Sequence, residues 1–309
     1  KQKNNLVIRS LNMSIKSLFK GSCVALITPF KDKKVDYEKL KNLLEFQIKE
    51  GTDAILVLGT TGEPATMTAA EKEKVIEFSV DVINKRVPLL VGTGGNNTEA
   101  VVSSSKRAEQ LGADALLIVT PYYNKCTQGG LAAHYLKVAD SVNKPIIVYN
   151  VPSRTGVNVL PKTLQKIGAH ENIYGIKESS GNIDQMSDMI EVCLNSNMEF
   201  YSGDDGVTFP TIIMGGAGVI SVTANIIPAF MSKLARHCLN GEIEQARQMH
   251  FKLIPLVKAV FCEVNPIPVK AAASMMGLCD GELRLPLTEI EPQSKEILSA
   301  ALRNFGLIK

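Results

Sequence analysis

Eight short runs of apolar and β-branched residues, each followed by a longer helical pattern, recur along the chain between about Ser22 and Asn240. They are CVALI (23–27), DAILVLG (53–59), PLLVG (88–92), DALLIV (114–119), PIIVYN (145–150), IYGIK (173–177), MEFYS (198–202) and GVISV (218–222). Runs this short and nearly continuous in apolar character read as strands buried on both faces, as parallel strands covered by helices require. A half-exposed antiparallel sheet would alternate apolar with polar residues. The intervening stretches carry helix starts: Asp36 precedes YEKLKNLLEFQIKE, and Thr68 stands three residues before Glu71, a capping-box spacing. Gly51 and Gly112 hold equivalent places, each closing a helix just before an apolar strand that begins Asp-Ala.

Eight strand–helix units predict an α/β fold, a (β/α)₈ TIM barrel rather than a doubly wound sheet. The first run leads into Thr28-Pro29-Phe30 and not into a glycine-rich phosphate loop. The 309 residues leave room for an appendage, since such a barrel takes about 250. Strand signals stop near Gly241, and EIEQARQMHFKLIPLVKAVF and the segment after NPIPVK read as helices. The expected organisation is a tag or disordered extension over residues 1–12, with Met13 as the start, a catalytic barrel over 13–240 and a small C-terminal helical domain over 241–309.

Composition removes several function classes. Lys and Arg number 34 against 31 acidic residues, a dispersed net charge of +3 that gives no nucleic-acid footprint. A locally positive cleft for an anionic metabolite needs only one or two placed cations, so that class stays open. The six cysteines form no CxxC pair and fit reduced thiols of a cytoplasmic protein. No apolar run reaches the roughly 18 residues that span a bilayer. The histidines at 134, 170, 237 and 250 lack metal-ligand spacing, and no catalytic metal is expected.

A barrel of this kind places its chemistry at the C-terminal ends of its strands. Polar residues follow four of the runs: Gly59-Thr60-Thr61-Gly62-Glu63, Thr120-Pro121-Tyr122-Tyr123, Tyr149-Asn150 with VPSRTG, and Lys177. An amine ending an otherwise apolar strand is partly desolvated, which favours its uncharged form and makes it a nucleophile toward carbonyls. The alternative is a rim lysine whose head snorkels to water, and position alone does not choose. GTTGE is either an anion nest or a threonine-capped turn leading into a helix. Tyr123 and Tyr149 are proton carriers if they face one cavity and ordinary rim tyrosines if they do not. Arg154 offers a rigid fork for a carboxylate or is a surface loop charge.

GTTGE, TPYY, YNVPSRTG, GIKESSG, SGDD and GVISVTAN, in this order, resemble the dihydrodipicolinate synthase and N-acetylneuraminate lyase superfamily of class I pyruvate aldolases. The resemblance runs from about Phe19 through NPIPVK (265–270) into the terminal helices. It implies that Lys177 forms an imine with pyruvate, so that no separate cofactor is needed, and that Tyr149 shuttles protons. It further implies that Thr60 and Thr61 hold the pyruvate carboxylate, that Gly203 and Ile220 line the same pocket, and that Tyr123 enters the neighbouring subunit's site to complete a relay with Thr60 and Tyr149. A homotetramer of two tight dimers follows from the same likeness. The Thr60-Thr61 pair and Arg154 point to the synthase branch, with L-aspartate 4-semialdehyde as the aldehyde and the lysine pathway as its place; other sugar-acid aldolases share the lysine and the tyrosine. Members inhibited by lysine carry histidines and a glutamate where this chain has Ala69, Lys72 and Ala100, although Asn96 and Tyr122 match. Weak or absent feedback inhibition is therefore expected.

Overall fold

The structure, a computed structural model, describes residues 18–309; the extension expected over residues 1–12, and Met13, lie outside the described residues. Each of the eight apolar runs forms a strand: β1 Gly21–Ala25, β2 Ala54–Val57, β3 Leu89–Gly92, β4 Ala115–Val119, β5 Ile146–Asn150, β6 Ile173–Glu178, β7 Glu199–Ser202 and β8 Gly218–Ser221. All pair in parallel in chain order, and β1 pairs with both β2 and β8, so the sheet closes. After each strand a helix returns over the outside, for example Tyr37–Lys49 after β1 and Ala69–Ile83 after β2.

Alternation along each strand explains why the runs look uniformly apolar. Cys23, Ala25, Ala54, Leu56, Leu90, Ala115, Leu117, Ile147, Tyr149, Tyr201 and Ile220 pack together inside the barrel. Their neighbours Val24, Ile55, Val57, Leu89, Val91, Leu116, Ile118, Ile146, Val148, Ile176 and Phe200 join the larger core between strands and helices. Both faces are thus buried, by two different layers. At the N-terminal end of the barrel, Leu18 N–H donates to the Tyr174 hydroxyl at 2.8 Å, and the Tyr201 hydroxyl donates to Phe19 O at 2.9 Å.

Local signals act as their chemistry dictates. Asp36 caps Tyr37–Lys49 by accepting from Lys39 N–H, Thr68 and Glu71 form a full capping box, and Gly51 and Gly112 take φ of +82° and +102° after their helices. The seam between β1 and β8 is locked by Asn225, which accepts from Ile27 N–H (2.9 Å) and donates to Ala25 O (2.8 Å). Buried Asp205 accepts from Val222 N–H, Thr223 N–H and the Thr223 hydroxyl, tying the loop after β7 to the end of β8. The SGDD and VTAN motifs therefore hold the rim in shape.

Beyond Pro228–Leu239, the helices Ile243–Val260, Ile267–Met275 and Pro292–Phe305 pack on one another at one side of the barrel. The link between the last two returns to the rim, where Arg284 donates to the Glu71 carboxylate at 2.6 and 3.0 Å. These bonds, with those from Thr68, hold the Glu71 carboxyl down at about 2 against an ordinary 4.5. A carboxyl depressed in the folded state stabilises fully above its unfolded value and loses that contribution as pH falls through the folded one. The unfolding free-energy gap between the wild type and Glu71→Gln is accordingly expected to be constant above about pH 5 and to shrink progressively between about pH 4.5 and 2 in urea titrations. A gap independent of pH over that range would contradict the assignment.

Candidate active site

Parallel register sets the core of the site. Tyr149 on β5 and Lys177 on β6 are paired residues of adjacent strands. Both are buried, and the Lys177 amine lies 4.2 Å from the centre of the Tyr149 ring. No carboxylate among the described residues forms a salt bridge with Lys177. Lysines are almost never fully buried unless paired, so a buried primary amine next to a phenol calls for a chemical explanation. Such an amine can condense with a carbonyl, and a phenol can give or take the protons that the condensation moves.

The residues that follow in each strand do a different job. Asn150 Nδ2 donates to the Glu178 carboxylate at 2.8 Å and also to Asn158 Oδ1, while Val159 N–H donates to Asn150 Oδ1. Burial raises the Glu178 carboxyl, opposed by hydrogen bonds from Ser180 and Asn150. This network fixes both strand ends against the loop that carries Arg154.

Space around Lys177 is made by Gly203, just after β7. A Cβ there would lie 2.9 Å from Lys177 Cε and 3.0 Å from Cγ, and would also overlap Ser179 Oγ. That hydroxyl oxygen is buried without a hydrogen-bond partner. Ile220 on β8 is fully buried in the same barrel interior as Tyr149.

The GTTGE turn closes the site from the side of β2. Thr60–Gly62 form one 3₁₀ turn bracketed by two non-glycine residues in the left-handed region, Leu58 (φ +57°) and Glu63 (φ +56°). Gly62 packs closely, since a Cβ there would stand 3.2 Å from both Leu26 O and Thr28 Oγ1. Thr28 Oγ1 donates to Gly62 O at 2.7 Å, and Thr61 Oγ1 accepts from Asn265 Nδ2 at 3.0 Å.

A cavity of about 620 Å³ opens over these strand ends, with Thr60, Tyr149, Arg154, Thr155 and Asn265 on its wall. It extends past Asn96, Ala100 and Tyr122. Lys177, Thr61, Gly203 and Ile220 are not on the wall; Lys177 adjoins it through Tyr149. Arg154, on the short helix Pro152–Thr155, donates from Nη2 to Asn265 O at 3.0 Å. Tyr123 stands apart from the others within one chain: it is 91% exposed, with φ of +70°. Among the described residues no cluster of His, Cys, Asp and Glu could hold a metal ion.

Three participants escaped the reading of the sequence: Asn265, Ser179 and the pair Glu63–Lys270. The only signal for Asn265 and Lys270 is that NPIPVK places an amide and an amine among apolar residues and prolines. Ser179 falls inside the GIKESSG motif, two residues after Lys177, but nothing in the sequence gives it a role of its own.

Residues 18–305 match the dihydrodipicolinate synthetase family. The chain belongs to this family. A 4-hydroxy-tetrahydrodipicolinate synthase of Thermoanaerobacter sp. (strain X514) is 50% identical over 293 residues, covering 94% of this chain and 98% of the relative. The crystal structure of dihydrodipicolinate synthase from Aquifex aeolicus superposes with a TM-score of 0.91 at 48% identity, covering 94% and 99% of the two chains. The chloride-inhibited dihydrodipicolinate synthase from Acinetobacter baumannii, complexed with pyruvate, gives a TM-score of 0.91 at 44% identity, covering 94% and 99%.

Because Gly203 backs directly on the Lys177 side chain, Gly203→Ala is expected to cost about 1–3 kcal/mol of stability by overpacking. Gly129→Ala, where an added Cβ would meet only Thr127 Oγ1 at an ordinary contact distance of 3.8 Å, serves as the comparison and is expected to be neutral or mildly stabilising. Equal melting temperatures for the two variants would show that Gly203 is not constrained as described.

Proposed function

We propose that the chain condenses pyruvate with L-aspartate 4-semialdehyde to give 4-hydroxy-tetrahydrodipicolinate, through a Schiff base on Lys177. The observation that carries this reading is the buried, carboxylate-free amine of Lys177 against the Tyr149 ring at the ends of adjacent strands. Membership of the family and the names of its half-identical relatives support the choice of reaction. The pyruvate complex of the Acinetobacter baumannii relative supports the choice of first substrate.

In this mechanism the amine attacks the ketone of pyruvate, water leaves, and an imine forms with Tyr149 relaying the protons. Loss of a methyl proton gives the enamine, whose carbon attacks the aldehyde and makes the new carbon–carbon bond. The amino group of the former semialdehyde then attacks the imine carbon, closing the ring and freeing Lys177. Thr60 and Thr61 hold the pyruvate carboxylate through hydroxyls and backbone N–H groups, while Gly203 and Ile220 bound the space beside it. Arg154, facing the cavity with its backbone on a short helix, receives the second carboxylate. The amine replaces any separate cofactor.

The exposed Tyr123 is read as entering the site of a neighbouring subunit, where it joins Thr60 and Tyr149 in the proton relay. The assembly is then a homotetramer of two tight dimers, in the cytoplasm. Lys72 and Ala100 line the cavity beside Asn96 and Tyr122, and neither supplies the negative charge that a dibasic amino acid requires.

Pyruvate consumption measured with a panel of aldehydes tests the reading. Turnover is expected with L-aspartate 4-semialdehyde and not with sugar aldehydes; absence of activity with the semialdehyde would reject it. In the same assay Arg154→Ala should raise KM for the aldehyde by about 10- to 100-fold, Tyr149→Phe should lower kcat by about 100-fold or more, and lysine at low millimolar concentration should leave the rate unchanged.

A further inference from the structure

The turn that holds Thr60 and Thr61 is tethered by Thr28 on one side and, on the other, by residues more than 200 positions further along the chain. Asn265 reaches Thr61, Lys270 Nζ donates to Glu63 Oε1 at 2.5 Å, and Arg284 N–H donates to Glu63 Oε2 at 3.3 Å. The side chains of Glu63 and Lys270 are 1% and 0% exposed, the most deeply buried ion pair among the described residues. Phe30 packs against two cations, its ring centre 4.1 Å from Lys270 Nζ and 4.2 Å from Arg284 Cζ.

This arrangement is a poor way to gain stability. Glu63 occupies a left-handed conformation that disfavours residues with a Cβ. Burying a carboxylate and an ammonium together generally does no better than filling the same space with apolar side chains. An apolar pair would fill the space without fixing the angle at which the turn leaves the barrel. The buried charges do fix it, because Lys270 Nζ and Arg284 N–H each hold one oxygen of the Glu63 carboxylate. Two unfavourable features coincide on the residue directly after Thr60-Thr61-Gly62, and strain of this kind concentrates at functional sites.

We propose that Glu63 and Lys270 are positioning residues: their buried ion pair clamps the GTTGE turn to the C-terminal helices and sets the Thr60-Thr61 hydroxyls and N–H groups for capture of the pyruvate carboxylate. The inference rests on the functional reading above. It gives the C-terminal helices a direct part in pyruvate binding, whereas Arg154 bonds to neither charge of the pair and donates instead to Asn265 O.

Steady-state kinetics with both substrates varied, on the full chain below the melting onset of each variant, tests this. Glu63→Gln and Lys270→Met should each raise KM for pyruvate by about tenfold, the scale of a small misplacement of a binding group, with KM for the semialdehyde within about twofold of wild type. The double variant Glu63→Gln/Lys270→Met leaves no orphan charge, so its melting temperature should recover toward wild type while its pyruvate KM stays raised. That separation of stability from pyruvate binding is what a purely structural pair would not produce. Recovery of the pyruvate KM together with stability, or a wild-type pyruvate KM in the folded variants, would overturn the proposal. Absence of turnover in the wild type would instead reject the functional reading.

Discussion

Closure of eight parallel strands is the constraint from which the rest of the molecule follows. Every barrel strand pairs on both sides, so the barrel has no edge, and its interior is filled by a column of side chains from Cys23 and Ala54 to Tyr201 and Ile220. A filled interior leaves polar chemistry one place to sit, at the rim where the strands end. There the same alternation that packs the column sends Tyr149 and Lys177 inward and turns Asn150 and Glu178 toward each other in a separate hydrogen-bonded network.

The rim is made rigid by parts of the chain that do no chemistry. Asp205 and Asn225 bind backbone groups of the last and first strands, and the loop of Arg154 is held by Asn158 and Asn150. The C-terminal helices and the links between them complete the frame, delivering Asn265, Lys270 and Arg284 to a single turn after β2. A site built in this way positions its groups with supports from opposite ends of the sequence, as preorganised binding of a small molecule requires.

Much of this was legible from the residues. All eight strands fall within two residues of the apolar runs, because burial on two faces leaves a dense signal in the sequence. Caps at Asp36 and Thr68 and the glycines at 51 and 112 were equally plain, since each is a local rule with a local cause. Lys177 was visible as an amine ending an apolar strand, but whether it reached water depended on the side chain beside it, and that is a matter of register between strands. Contacts such as Lys270 with Glu63, 207 residues apart, leave no periodic trace.

Everything proposed for the chemistry turns on whether Lys177 is the nucleophile. Reduction with borohydride in the presence of pyruvate, followed by digestion and mass spectrometry, addresses this directly. The account predicts that the peptide containing Lys177 alone gains the mass of reduced pyruvate, and that Lys177→Ala gains none. A missing adduct, or one carried by another lysine such as Lys270, would contradict it.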